Sequence, residues 1–138
     1  MKYFIQEKSL TQEQEKIIEK GFEAFDDAFF NAKNTVKTYS FVIEDSDYVG
    51  SLKARLSWGN FHIVEVFVKE NMRGQGIGTY LIKHALEVAR KDKAKFVSIK
   101  TSNPKAKALY EKLGFIVHNV MEGYSFGLKF YTLVYNKL

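Results

Sequence analysis

Residues 64–78, VEVFVKENMRGQGIG, place three alternate glycines, Gly74, Gly76 and Gly78, behind Arg73, where an apolar run gives way to a helical pattern. A helix N-terminus offers unpaired amide N–H groups and the positive end of the helix dipole. A loop without side chains lets an anion reach them, so phosphate binding is the chemistry this spacing suggests. A plain tight turn would use the same glycines. Spacing separates the phosphate motifs: Thr79 stands where G-x-G-x-x-G needs its last glycine, and no Gly-Lys-Ser/Thr follows, which excludes the dinucleotide fingerprint and the P-loop. Upstream, Glu65 is an ionisable group in an otherwise apolar strand, three residues before Val68, and is the leading acid–base candidate. His62 is the second. In a regular strand it faces away from Glu65 and Phe67, and a β-bulge would reverse that.

The 138 residues contain no cysteine, which removes disulfides, thiolate zinc sites and cysteine nucleophiles. Three isolated histidines without an H-E-x-x-H pattern give no metal site, and His84 and His118 read as a packing residue and an exposed strand residue. Neither a membrane-spanning run nor a signal-peptide pattern is present, so a cytoplasmic protein of one domain, residues 1–138, is expected. The net charge of +5 divides unevenly, −4 over residues 1–50 and +9 over residues 51–138. A polyanion bound by the second half would explain this, as would a solvated lysine-rich surface.

These residues need a scaffold. Thr11-Gln12-Glu13-Gln14 has the form of a capping box, and Ile17, Ile18, Phe22, Phe25 and Phe29 follow at helical spacing, which predicts a helix over roughly 11–33, broken near Gly21 or Asp26. Residues 37–44, 48–58 and 61–68 are rich in β-branched and aromatic types between turn signals, and read as an antiparallel meander. Ile77, Tyr80, Leu81, His84, Ala85 and Val88 mark one stripe of a helix ending near Lys91. A strand over 95–100 comes next. Asn103-Pro104 supplies an N-cap and an N1 proline for a short helix stopped at Gly114, and strands over 115–121 and 128–135 close the chain. Counting a strand ahead of the first helix, the order predicts an α/β (α+β) fold with one mixed sheet of about six to seven strands flanked by helices.

With R-x-x-G-x-G at Arg73, Gly76 and Gly78, and with TSNPKAKALYEKLGF at residues 101–115, the chain from about Lys37 onward resembles the GNAT superfamily of acyl-CoA-dependent N-acetyltransferases. The resemblance implies acetyl-CoA as acetyl donor and a sheet splayed in the middle, where the strand ending at Phe67 and Val68 parts from the strand over 95–100, to admit pantetheine. It implies that backbone amides from Arg73, Gly74, Gln75, Gly76, Ile77 and Gly78 cradle the pyrophosphate, with Thr79 adding its hydroxyl and Asn103 contacting the donor. Lys105 and Lys107 are candidates for its remaining phosphate. The Val68 amide is the implied oxyanion donor, Glu65 the group that meets the acceptor amine, and Tyr110 the acid that protonates the leaving thiolate. An alkylamine at pH 7 carries a handicap of roughly 4 to 5 kcal/mol because so little of it is neutral, so a base or a water path must take its proton.

A small-molecule amine acceptor is expected, and the acidic first helix, with Glu19, Glu23, Asp26 and Asp27, suits a cationic one. Tyr124 and Tyr131 are candidates for its pocket. An aminoacyl-tRNA or protein amine stays open as acceptor, as does a non-catalytic acyl-CoA sensor or interaction module. Direct nucleic-acid binding is disfavoured because the lysines lack interleaved exposed aromatics. The family's habits also make a homodimer through the C-terminal strands an open expectation.

Overall fold

A computed structural model describes residues 2–138, in two compact units that divide between Asn34 and Thr35. In the smaller unit α1 (Gln12–Phe30) is a single unbroken helix, started by the expected capping box: Thr11 Oγ1 accepts from the Gln14 amide at 3.1 Å and Gln14 Oε1 from the Thr11 amide at 3.0 Å. Gly21 does not break it, because a glycine inside a helix costs only about 1 kcal/mol relative to alanine. Phe25 stacks on Phe29 with ring centroids 4.5 Å apart, as their spacing of four predicts. Residues 2–10 form no strand, so the leading strand of the expected order is not formed among the described residues.

The larger unit is a six-stranded mixed sheet with two helices. β1 (Lys37–Asp45), β2 (Asp47–Ser57) and β3 (Asn60–Val68) make the meander, with turn residues Ser46, Trp58 and Gly59 at positive φ. α2 (Ile77–Lys91) crosses to β4 (Phe96–Thr101), α3 (Pro104–Lys112) follows, and β5 (Ile116–Met121) and β6 (Phe130–Tyr135) end the chain. The order across the sheet is β1-β2-β3-β4-β6-β5, and β3 with β4 is its parallel pair.

One face of the sheet carries the core. Leu52, Ala54, Phe61, Ile63, Val97, Ile99 and Leu133 pack there against Leu81, Ile82, Ala85, Leu86 and Ala89 of α2 and Tyr110 of α3. The buried stripe of α2 is therefore rotated from the expected one: Tyr80 and His84 lie exposed, and His84 meets the Phe41 ring edge-on. Burying the small side chains of Ala85 and Ala89 lets this helix sit close to the sheet. Among the described residues no helix is long and apolar enough to cross a membrane.

Candidate active site

β3 and β4 pair only from Asn60↔Phe96 to Ile63↔Ile99, after which β3 runs on through Val68 beside β2 alone. This is the expected splay. The antiparallel register gives its consequence. Lys69 N donates to Val49 O at 2.8 Å, so Gly50 and Val68 face each other as a pair without mutual hydrogen bonds. The N–H and C=O of Val68, and by alternation those of Val66, point away from β2 into the gap that β4 leaves. Gly50 lets the two strands approach there, since a Cβ on it would lie 2.7 Å from the Phe67 carbonyl oxygen.

At the end of the gap lies a cleft of about 510 Å³. Phe67, Val68, Arg73, Gly74, Gly76, Ile77, Gly78, Thr79 and Asn103 line it, together with Val66, Met72 and Leu109, which the sequence reading did not single out. Gln75 is not among the lining residues. Gly74 and Gly76 have φ of +79° and +82°, a left-handed backbone that side chains disfavour. Gly78 differs, being inside the first turn of α2 with the nearest atom to an added Cβ 3.9 Å away, so the fold itself does not demand a glycine there. α2 begins at N-cap Gly76 with no side-chain cap, and its first intrahelical bond is Tyr80 N to Gly76 O at 2.9 Å. The amides ahead of Tyr80 thus face the cleft as uncommitted donors at the positive end of a 15-residue helix.

Arg73 is tied into the scaffold. Its Nε donates to Val68 O at 2.8 Å and its guanidinium lies 5.6 Å from the centre of the Phe67 ring, fastening the glycine loop to the end of β3. Asn103 caps α3, Oδ1 accepting from the Lys105 amide at 2.9 Å, which leaves its Nδ2 protons outside the cap. Lys107 pairs with Glu111 at 3.0 Å.

The expected acid–base groups are rearranged. Val64 has no partner in the β2 register, where Lys53↔Glu65 is followed by Ala54↔Ile63. This bulge shifts the alternation by one residue, so His62, Glu65 and Phe67 share the face turned away from the core, and the regular-strand expectation for His62 is reversed. Glu65 is exposed and 3.4 Å from Lys53 Nζ. His62 is half-buried, with Nδ1 2.8 Å from Ser98 Oγ, and that hydroxyl donates to Asn60 Oδ1 at 2.7 Å. Since the hydroxyl has one proton and spends it on Asn60, Nδ1 must carry the hydrogen toward Ser98, and Nε2 keeps the free lone pair. Burial holds the His62 pKa below the usual imidazole value, with Lys100 and then Arg55 adding to the effect. Tyr110 is buried in the core against Phe115 and is not part of the cleft lining, and burial raises its pKa, so it stays protonated at neutral pH. Tyr124 packs against Phe130 beside Lys100 with the two rings tilted at 54°, and Tyr131 lies under Lys107. Among the described residues no group of His, Asp and Glu side chains could hold a metal ion.

A sheet splayed around a parallel pair, with an uncapped helix start at the mouth of the gap, agrees with what known sequences indicate. Residues 4–115 match the profile described as the acetyltransferase (GNAT) family, and the chain belongs to that family. An uncharacterised N-acetyltransferase of Methanocaldococcus jannaschii is 33% identical over 101 residues, 72% of this chain and 43% of that protein. The chain spans 43 to 58% of the length of the curated relatives it matches, a group that includes an N-alpha-acetyltransferase of Saccharolobus solfataricus. Among solved structures, a protein of Agrobacterium tumefaciens assigned as an acetyltransferase superposes with a TM-score of 0.82 at 29% identity, covering 96% of this chain and 98% of that one. A Bacillus subtilis acetyltransferase in complex with CoA has the same fold, with a TM-score of 0.63 at 18% identity over 95% of this chain and 96% of that one.

Proposed function

We propose that the chain moves an acetyl group from acetyl-CoA to a primary amine by direct attack, donor and acceptor being bound together. The observation that carries this is the uncapped start of α2 at the mouth of the gap between β3 and β4. The pyrophosphate has amide donors at Gly76 to Gly78, and the stretch from Val64 to Val68, roughly 13 Å at about 3.3 Å per residue, offers outward backbone groups to a pantetheine arm. The Bacillus subtilis protein of this fold, solved with CoA, supports the same donor.

Such an arm brings the thioester toward the fork at Val64, next to the face that holds His62 and Glu65. His62 Nε2 takes the proton from the acceptor ammonium. We favour it over Glu65 because its tautomer is fixed and its imidazole is neutral, whereas Glu65 is exposed and paired with Lys53. The freed amine attacks the thioester carbonyl. The Val66 and Val68 amides are the donors available to the resulting oxyanion, a role worth about 3 kcal/mol where such donors have been removed. The carbon–sulfur bond then breaks, Tyr110, kept protonated by burial, gives its proton to the thiolate once its hydroxyl turns to the cleft, and the proton that the nitrogen sheds on becoming an amide passes through water to restore the phenol.

The test is thiol release from acetyl-CoA on addition of a panel of primary amines, with acetylated product identified by mass. His62→Gln and Tyr110→Phe should each lower the rate by about 10²-fold or more, with acetyl-CoA affinity unchanged. Binding of acetyl-CoA without transfer to any amine would instead favour a sensor or interaction module.

A further inference from the structure

The outward face of the sheet carries more positive charge than acetyl transfer to a simple amine requires. Arg55 of β2 is in register with His62 of β3, and His62 with Ser98 of β4, so the three lie side by side. Lys100, two residues beyond Ser98, shares that face and is its first β4 residue past the last paired rung, Ile63↔Ile99. It therefore stands at the fork where the reacting groups meet.

Its position is built. The Lys100 ammonium lies 5.2 Å from the centre of the Phe130 ring and 5.8 Å from that of Tyr124, and it donates to the Tyr124 hydroxyl at 3.4 Å. These contacts hold the cation without neutralising it. Among the described residues neither Lys100 nor Arg55 pairs with a carboxylate, and the one acid of this face of β3, Glu65, is taken by Lys53. Both cations act on His62, being the two charges that lower its proton affinity.

A polyamine would bring further positive charge to this face. An anion attached to the acceptor would meet two unpaired cations, one of them fixed by aromatic rings. We propose that the acceptor is an amino carboxylic acid, its amine facing His62 and its carboxylate received by Lys100 and Arg55. The inference deepens the acetyl-transfer reading and rests on it.

The experiment uses the full chain with acetyl-CoA and matched acceptors: amino acids, their carboxamides, and the corresponding amines without the carboxyl group. The ratio of kcat/KM for acid over amide is expected to exceed about tenfold, the scale of one charge-assisted hydrogen bond. Lys100→Gln and Arg55→Gln should each reduce the ratio about tenfold, and Lys100→Glu should reverse it in favour of the amine. Both side chains are exposed, so the variants should fold, as their unchanged acetyl-CoA affinity would show.

Equal rates for acid and amide, or a preference that survives all three substitutions, would overturn the inference. If no acceptor is turned over, calorimetric titration of the same pairs into CoA-saturated protein reads the preference directly. Acids that bind no better than amides there would overturn it. Failure of the unaltered protein to bind acetyl-CoA would instead remove the acetyl-transfer reading beneath it.

Discussion

The Ser98 hydroxyl decides which nitrogen of His62 carries the hydrogen at neutral pH, and so which one is free to accept another. With Nδ1 committed to Ser98 and Ser98 to Asn60, Nε2 is the basic atom. A base must be neutral to act, and burial, Lys100 and Arg55 all disfavour the imidazolium, so the acid limb of kcat/KM should fall below pH 6.5. Lys100→Gln removes one of these charges and should move the limb upward toward 6.5. A rate profile in which the limb moves down, or is absent, would remove His62 as the base. In the sequence His62 was visible only as a histidine in an apolar strand. The extra residue at Val64 that turns it toward Glu65 leaves no mark in composition, because a bulge is set by pairing with β2. The chain Asn60, Ser98, His62 was hidden for a like reason, its members being brought together by parallel register across 38 residues of sequence.

At the scale of elements, β3 and α2 make the site and glycines join them. The meander, both helices of the larger unit and the caps at Thr11 and Asn103 were legible because each rests on local chemistry: period, turn residues and side chains that bond nearby amides. The leading strand was not realised, and the buried stripe of α2 was rotated, because which part of a broadly apolar helix turns inward depends on the sheet it meets. Gly50 was not singled out at all. Its role appears only in the pairing with Val68, where a methyl group would press on the Phe67 carbonyl. Gly50→Ala should therefore displace the end of β3, lowering thermal stability and weakening acetyl-CoA binding together. A normal affinity in a destabilised variant would mean that the β3 end does not bind the donor.

For the whole molecule, the charge of +5 and the excess of +9 beyond residue 50 predict, on the proposed reading, a field that draws in an anionic donor. The association rate of acetyl-CoA should fall as salt rises from about 0.01 to 0.15 M, where the screening length shrinks from about 30 to 8 Å. A rate indifferent to salt would assign the basic surface to solvation alone. Charge asymmetry was plain in the sequence. Its use at Lys100 was not, because the sequence shows neither the fork in the sheet nor the rings of Tyr124 and Phe130 beneath the ammonium.

On the proposed reading, the glycines at the start of α2 leave room for the donor's pyrophosphate. Gly78 tests it most directly, for its backbone is helical and a methyl group there meets no protein atom closer than 3.9 Å. Alanine is the better helix former by about 1 kcal/mol, so Gly78→Ala should raise the thermal stability of the free protein. The measurement is calorimetric titration of acetyl-CoA into the unaltered chain and this variant. Tight binding to the former and affinity weakened about tenfold or more in the stabilised variant is the predicted result, since the methyl group displaces the phosphate from the amides by an ångström or more. Equal affinity in both would leave the glycines as a plain turn and place the donor elsewhere.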